Sequence, residues 1–170
     1  MDVARLCELL ANQAVVIAGL TVDIDDASAR LPLKQGEWTI LEVMCHLYDE
    51  EREDFRVRVI QTLTHPTISL ASIDPEGWVL SRGYAQRAFN EMRGLFFAER
   101  QQSISALRKL GEAAWDTPLN HPRLRELTAE QVSWAWVAHD LLHIRQLTEL
   151  RYALYQRQTT SYGYGYAGDW

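Results

Sequence analysis

Apolar positions along this chain fall on the three-to-four-residue spacing of helices that bury one face. In "VARLCELLANQAVVIAGL", residues 3–20, Leu6, Leu9, Leu10, Gln13, Ala14, Ile17 and Leu20 share one side, and Gly19 stands near the stop. The stretch from Thr21 to Gln35 is rich in Asp, contains Pro32 and is followed by Gly36, so it reads as a connection with a single turn of helix. A second helix is announced by "WTILEV": Thr39 as N-cap and Glu42 three residues on form a capping box, and Trp38 is set to pack on Val43 as a hydrophobic staple. That pattern runs to about Leu63, ahead of His65-Pro66. A third helix spans Tyr84 to Leu110, with Gly111 at the C-terminal cap and Arg108 and Lys109 suited to the negative end of the dipole. The fourth repeats the entry device in "LTAEQV", where Thr128 caps, Gln131 completes the box and Leu127 faces Val132, and it runs to about Gln156.

Four such helices make an all-α four-helix bundle. The connection over residues 64–83 is too long for a hairpin turn; about 20 residues at up to ~3.3 Å each cross the length of a bundle. An up-down-down-up order follows.

Length and composition narrow the function. The 170 residues predict a single domain, 1–170, burying roughly 70% of the surface of its unfolded chain. With 47% apolar residues, 24% charged and a formal charge of −6, a general nucleic-acid binder or a ligand of acidic membranes is excluded. No apolar run is expected to reach the ~18 residues that span a bilayer, and the acidic start "MDVARLCELL" has no basic segment leading into a signal core, so a cytoplasmic location is expected. Cys7 and Cys45 belong to no metal or redox pattern and read as buried small hydrophobes. The tail 161–170, "SYGYGYAGDW", cannot continue the fourth helix past its glycines. Tyr162, Tyr164, Tyr166 and Trp170 make it too aromatic for a solvated end, and it is expected to fold back on the bundle or on a partner subunit.

The candidate chemistry lies in three histidines. His139 and His143 are four apart and present their imidazoles on one helix face, and His46 lies among Val43, Met44 and Leu47 on the apolar side of the second helix. A lone core histidine is ordinarily just hydrogen-bonded, but three unsatisfied imidazoles would cost about 1 to 3 kcal/mol apiece, whereas one divalent ion satisfies all three and keeps an open position. Asp49 and Glu50, three and four residues beyond His46, are placed to accept a ligand N–H or to take protons; the alternative is a solvated acidic edge, since Glu51, Glu53 and Asp54 follow. Gln146, on the face of His143, is placed to orient that ligand or bind substrate. His65 and His121 precede prolines in loops and take no role. The Glu-x-x-His pairs of di-iron bundles and HExxH are both absent.

With these residues in hand the chain resembles the DinB-like superfamily. "WTILEVMCHLYDEE" is similar to that family's Trp-led second helix with its His and acidic followers, "AHDLLHIRQL" to its His-x-x-x-His helix ending in Gln, and "DPEGW" with "AFNEMRGLFFAERQQSISALRKL" to its third-helix region. The resemblance covers nearly the whole chain. It implies a DinB-like bundle with one divalent ion, nickel or zinc, on His46, His139 and His143. Because relatives include bacillithiol and mycothiol transferases and a mycothiol-dependent isomerase, it also implies a low-molecular-weight thiol cosubstrate and a small electrophilic substrate. A metal-dependent hydrolase using Glu50 as base, and a non-catalytic stress-related bundle with a structural metal or none, stay open beside it, as does a homodimer.

Overall fold

A computed structural model describes residues 1–33, 35–159 and 165–168. Its long elements are α1 (Val3–Thr21), a second helix built of α3 (Ile40–Asp49), a π-helical segment (Glu50–Phe55) and α4 (Arg56–Thr64), then α6 (Phe89–Leu110) and α7 (Ala129–Gln158). Two single turns, α2 (Asp26–Ala29) and α5 (Trp78–Ser81), lie in the connections. The β-type pairing among the described residues is an isolated bridge between Pro118 and Thr128.

Both capping boxes form. The Thr39 hydroxyl accepts from Glu42 N–H at 3.2 Å while the Glu42 carboxylate accepts from Thr39 N–H at 2.7 Å, and Thr128 and Gln131 exchange the same bonds at 3.3 and 2.9 Å. The third helix begins later than the pattern predicts. Tyr84–Gln86 form a 3₁₀ turn, Arg87 and Ala88 are extended, and α6 starts at Phe89, whose N–H donates to Asp26 at 2.8 Å. The second helix departs from regularity at Glu50–Phe55, where π geometry inserts a residue into the turn.

Cross-helix contacts give the order. Gln13 bonds to the Val137 carbonyl and Arg151 to the Leu20 carbonyl, so α1 and α7 run parallel. Arg100 meets Leu10 while Arg93 meets Thr21, so α6 runs against α1. His46 meets His139 and Phe55 stacks on Trp136, so the second helix runs against α7. The bundle is therefore up-down-down-up, with a long crossover before α6.

Two apolar clusters fill it, one around Ile17, Met44, Phe89, Phe96 and Leu150, the other around Leu6, Leu10, Val59, Leu107 and Trp136. Where they meet sits a buried polar group. Arg100 makes paired hydrogen bonds to Asp140 at 2.6 and 2.9 Å, donates from Nε to Glu51 at 2.7 Å and reaches the Leu10 carbonyl at 2.9 Å. Glu51 also accepts from Ser103 at 2.7 Å and from the Trp136 indole at 3.0 Å. Each charge is thus paired and hydrogen-bonded, the condition for burying it at all.

One expectation needs correction. α1, at 19 residues, is long and apolar enough by length and composition to cross a bilayer, against the expectation of no such run. In the bundle its Leu6, Leu10 and Ile17 are fully buried and it packs on α6 and α7. The expectation for the aromatic tail falls largely outside the described residues, which take in neither Tyr162, Tyr164 nor Trp170; Tyr166, which is described, is fully exposed.

Candidate metal centre

The capping box at Thr39 starts α3 so that His46 falls on its second turn, facing α7; the box at Thr128 starts α7 so that His139 and His143 stack one turn apart on the opposing face. Their Nε2 atoms converge. His139 Nε2 lies 3.2 Å from His46 Nε2 and 3.1 Å from His143 Nε2, and the candidate ligand atoms of all three residues are within 4.8 Å of one another. Trp38, just before the cap, sets its ring 4.7 Å from His46 and parallel to His143 at 6.4 Å. Phe55 sits on the other side, 5.0 Å from the His139 ring. A cavity of about 350 Å³, lined by Glu37, Leu142, Arg145, Gln146 and Glu149, adjoins His143.

Burial, reinforced by the neighbouring imidazoles, pushes His46 down to about 3 and His139 down to about 2; burial also lowers His143. All three rings are therefore neutral at physiological pH. Neutral rings facing Nε2 to Nε2 cannot satisfy one another, because His139 Nε2 takes part in two contacts and has either one hydrogen or one lone pair to give. Gln146 decides one tautomer: its Oε1 lies 2.8 Å from His143 Nδ1 and, as an acceptor, keeps the proton there and turns the Nε2 lone pair inward. A cation accepts all three lone pairs at once. Tetrahedral bonds of ~2.0 to 2.1 Å place neighbouring ligand atoms about 3.3 Å apart, close to the two separations found here. The donor set fits a divalent ion.

The acidic residues divide. Glu50 Oε1 lies 3.9 Å from His46 Nδ1, too far for a hydrogen bond, and both atoms are buried without a hydrogen-bond partner. Burial and then the Asp54 carboxylate push Glu50 up to about 9, so it carries a proton at neutral pH. Asp49 is engaged elsewhere. It accepts from the Tyr84 hydroxyl at 2.8 Å and pairs with Arg82 at 2.8 Å and Arg52 at 3.3 Å. The solvated edge is found only in part: Asp49, Glu50 and Glu51 are buried, whereas the Glu53 side chain is 38% exposed. Sequence reasoning passed over Glu51 and Arg100, whose network reaches the site through Trp136, which stacks on Phe55. The available signal was the density of the acidic run, which a single helical face cannot hold in water.

The model of the DinB superfamily matches residues 10–147. No curated protein matches the chain. Among solved structures, the chain is similar to YfiT from Bacillus subtilis, described as a probable metal-dependent hydrolase with an unusual four-helix bundle topology. The two are 21% identical with a TM-score of 0.77, over 94% of this chain and 88% of that one, a likeness of fold. The family match takes in the second helix with His46 and most of α7 with His139 and His143, and on that match the chain belongs to the DinB superfamily.

Proposed function

We propose that this protein is a metal-dependent enzyme that holds one divalent ion, nickel or zinc, on the Nε2 atoms of His46, His139 and His143, and that it transfers a low-molecular-weight thiol to a small electrophile. The convergence of three neutral Nε2 atoms, one on the buried His46 and two on the half-buried His139 and His143, carries the reading. When bound, such an ion lowers the pKa of a thiol and presents it as thiolate. The protein's own residues supply the rest. Gln146 fixes the proton of His143 on Nδ1, Trp38 and Phe55 pack against the imidazoles, and the Glu50 carboxyl lies 3.9 Å from His46 Nδ1. The cavity beside His143 is of a size for a small substrate.

A hydrolase is the second reading, with water in place of the thiol; Glu50 would serve as its base only after losing the proton that burial holds on it. The place of Glu50 beside His46 and the description given to YfiT favour it. Elemental analysis of protein purified without a nickel column tests the centre. One equivalent of metal is expected, with affinity lost in His139→Ala; a His139→Ala protein that keeps stoichiometric metal at unchanged affinity would remove the three-histidine site. Glutathione, bacillithiol, mycothiol and coenzyme A, each with a generic electrophile, then separate the two chemistries. A metal-dependent rate with any thiol supports transfer, and none with all four shifts the assignment to hydrolysis or binding.

A further inference from the structure

Beside the start of α6 lies a second cavity, of about 400 Å³, that shares no lining residue with the one at His143. Its wall carries three guanidinium groups from three separate stretches: Arg52 in the π-helical segment, Arg82 after α5, and Arg87 after the 3₁₀ turn. One carboxylate orients two of them. Asp49 pairs with Arg82 Nη1 at 2.8 Å and Arg52 Nε at 3.3 Å, and is itself held by the Tyr84 hydroxyl at 2.8 Å. Arg82 is fixed from behind as well, its guanidinium 3.9 Å over the ring of the buried Trp78.

The donors outnumber the strong acceptors. Arg87 turns its Nε to the thioether of Met92 at 3.3 Å, a weak acceptor, and its Nη2 is 4.0 Å from Glu91. Glu53, 2.7 Å from Arg52, and Glu91 are the remaining acids, with side chains 38% and 58% exposed, and pairs so open to water hold little. Among the lining residues themselves, three guanidinium groups face one carboxylate. That is unexpected in a chain of formal charge −6.

We infer that this cavity binds a small molecule through a carboxylate or phosphate group. Guanidinium forks match the geometry of both oxyanions, and two forks pre-oriented by Asp49 lose little freedom on binding. The volume is that of a small-molecule site. The site stands apart from the histidine cluster and does not depend on the metal reading.

Calorimetric titration of the full chain with inorganic phosphate, succinate and the uncharged succinamide tests it. Saturable binding of phosphate, succinate or both is expected, the pattern telling which oxyanion is preferred, with succinamide silent. Arg52→Gln and Arg87→Gln, both on partly exposed residues, should each weaken binding by roughly tenfold or more. Arg145→Gln, on the other cavity, and His139→Ala should leave it unchanged. Absence of binding by both anions, equal binding of succinamide, equal affinity in Arg52→Gln and Arg87→Gln, or loss in His139→Ala would overturn the assignment.

Discussion

Replacing Arg100 with methionine should be among the most damaging single changes in the bundle, and its cost should depend on pH in a definite sense. The side chains of Arg100 and Glu51 are each 1% exposed, and the substitution strips the cation from two buried carboxylates, Glu51 and Asp140. Leaving buried charges without their partner typically costs about 3 to 5 kcal/mol. At about 2 to 4 °C per kcal/mol for a chain of this size, the melting temperature should fall by about 6 to 20 °C at neutral pH. Burial already raises Glu51 above its ordinary value, against the opposing pull of Arg100. Without that pull the folded-state pKa rises further, and a carboxyl whose folded pKa exceeds its unfolded value destabilises the fold above the unfolded pKa, near ~4, and not below it. The deficit should therefore be larger at pH 8 and shrink towards pH 4. Thermal melts by circular dichroism across that range, comparing wild type, Arg100→Met and the triple variant Glu51→Leu, Arg100→Met, Asp140→Leu, check the argument. The triple variant should recover much of the loss, because an apolar group of similar volume replaces the whole ionic set. A fall of under about 2 °C, or a deficit equal at pH 4 and pH 8, would refute it.

Two further outcomes concern the histidines. Gln146→Ala should reduce metal affinity by about 10- to 100-fold while the metal-free melt stays put, since it releases the His143 tautomer without opening the core; a competitive chelator titration reads this, and unchanged affinity would deny Gln146 its orienting role. Metal-free protein should lose stability as the pH falls below the unfolded histidine value of about 6.5. His46 and His139 are held neutral when folded and take up protons only on unfolding, so their share of the loss approaches roughly 2.5 kcal/mol per pH unit below about pH 6, against an opposite contribution from Glu50 and Glu51, whose raised pKa values favour the fold as the pH falls. Urea melts of metal-free wild type and His139→Leu at pH 7 and pH 5 measure the histidine share, and a pH dependence equal in the two would show the His139 ring to be protonated in the fold.

The parts of this structure written in short spans of sequence were legible there. Thr39 with Glu42, Thr128 with Gln131, and His139 with His143 are each local pairs, and the boundaries and the shared face they imply are the ones found. Non-local parts were less so. Glu51 and Arg100 lie 49 positions apart, and nothing on either helix marks the other as its counter-ion. The late start of α6 depends on Asp26, in a distant connection, capping the Phe89 N–H. The divergence of Asp49 from Glu50 has a further cause: both were counted on regular helical spacing, while the helix changes its winding at Glu50.

That change of winding acts as a phase shifter. A residue inserted into an α-helix turns everything beyond it by about 100°, and a π turn absorbs the insertion without breaking the rod. Upstream, His46 is clocked towards His139; from the segment's last residue onward, Phe55 and Val59 are clocked into the second apolar cluster. Wound as one continuous α-helix, the same string of side chains would satisfy one of these halves and rotate the other off its target. The two ends of the second helix are thus geared to one another through six residues, and a one-residue deletion there would uncouple the histidine cluster from the second apolar cluster while leaving all three histidines in the chain.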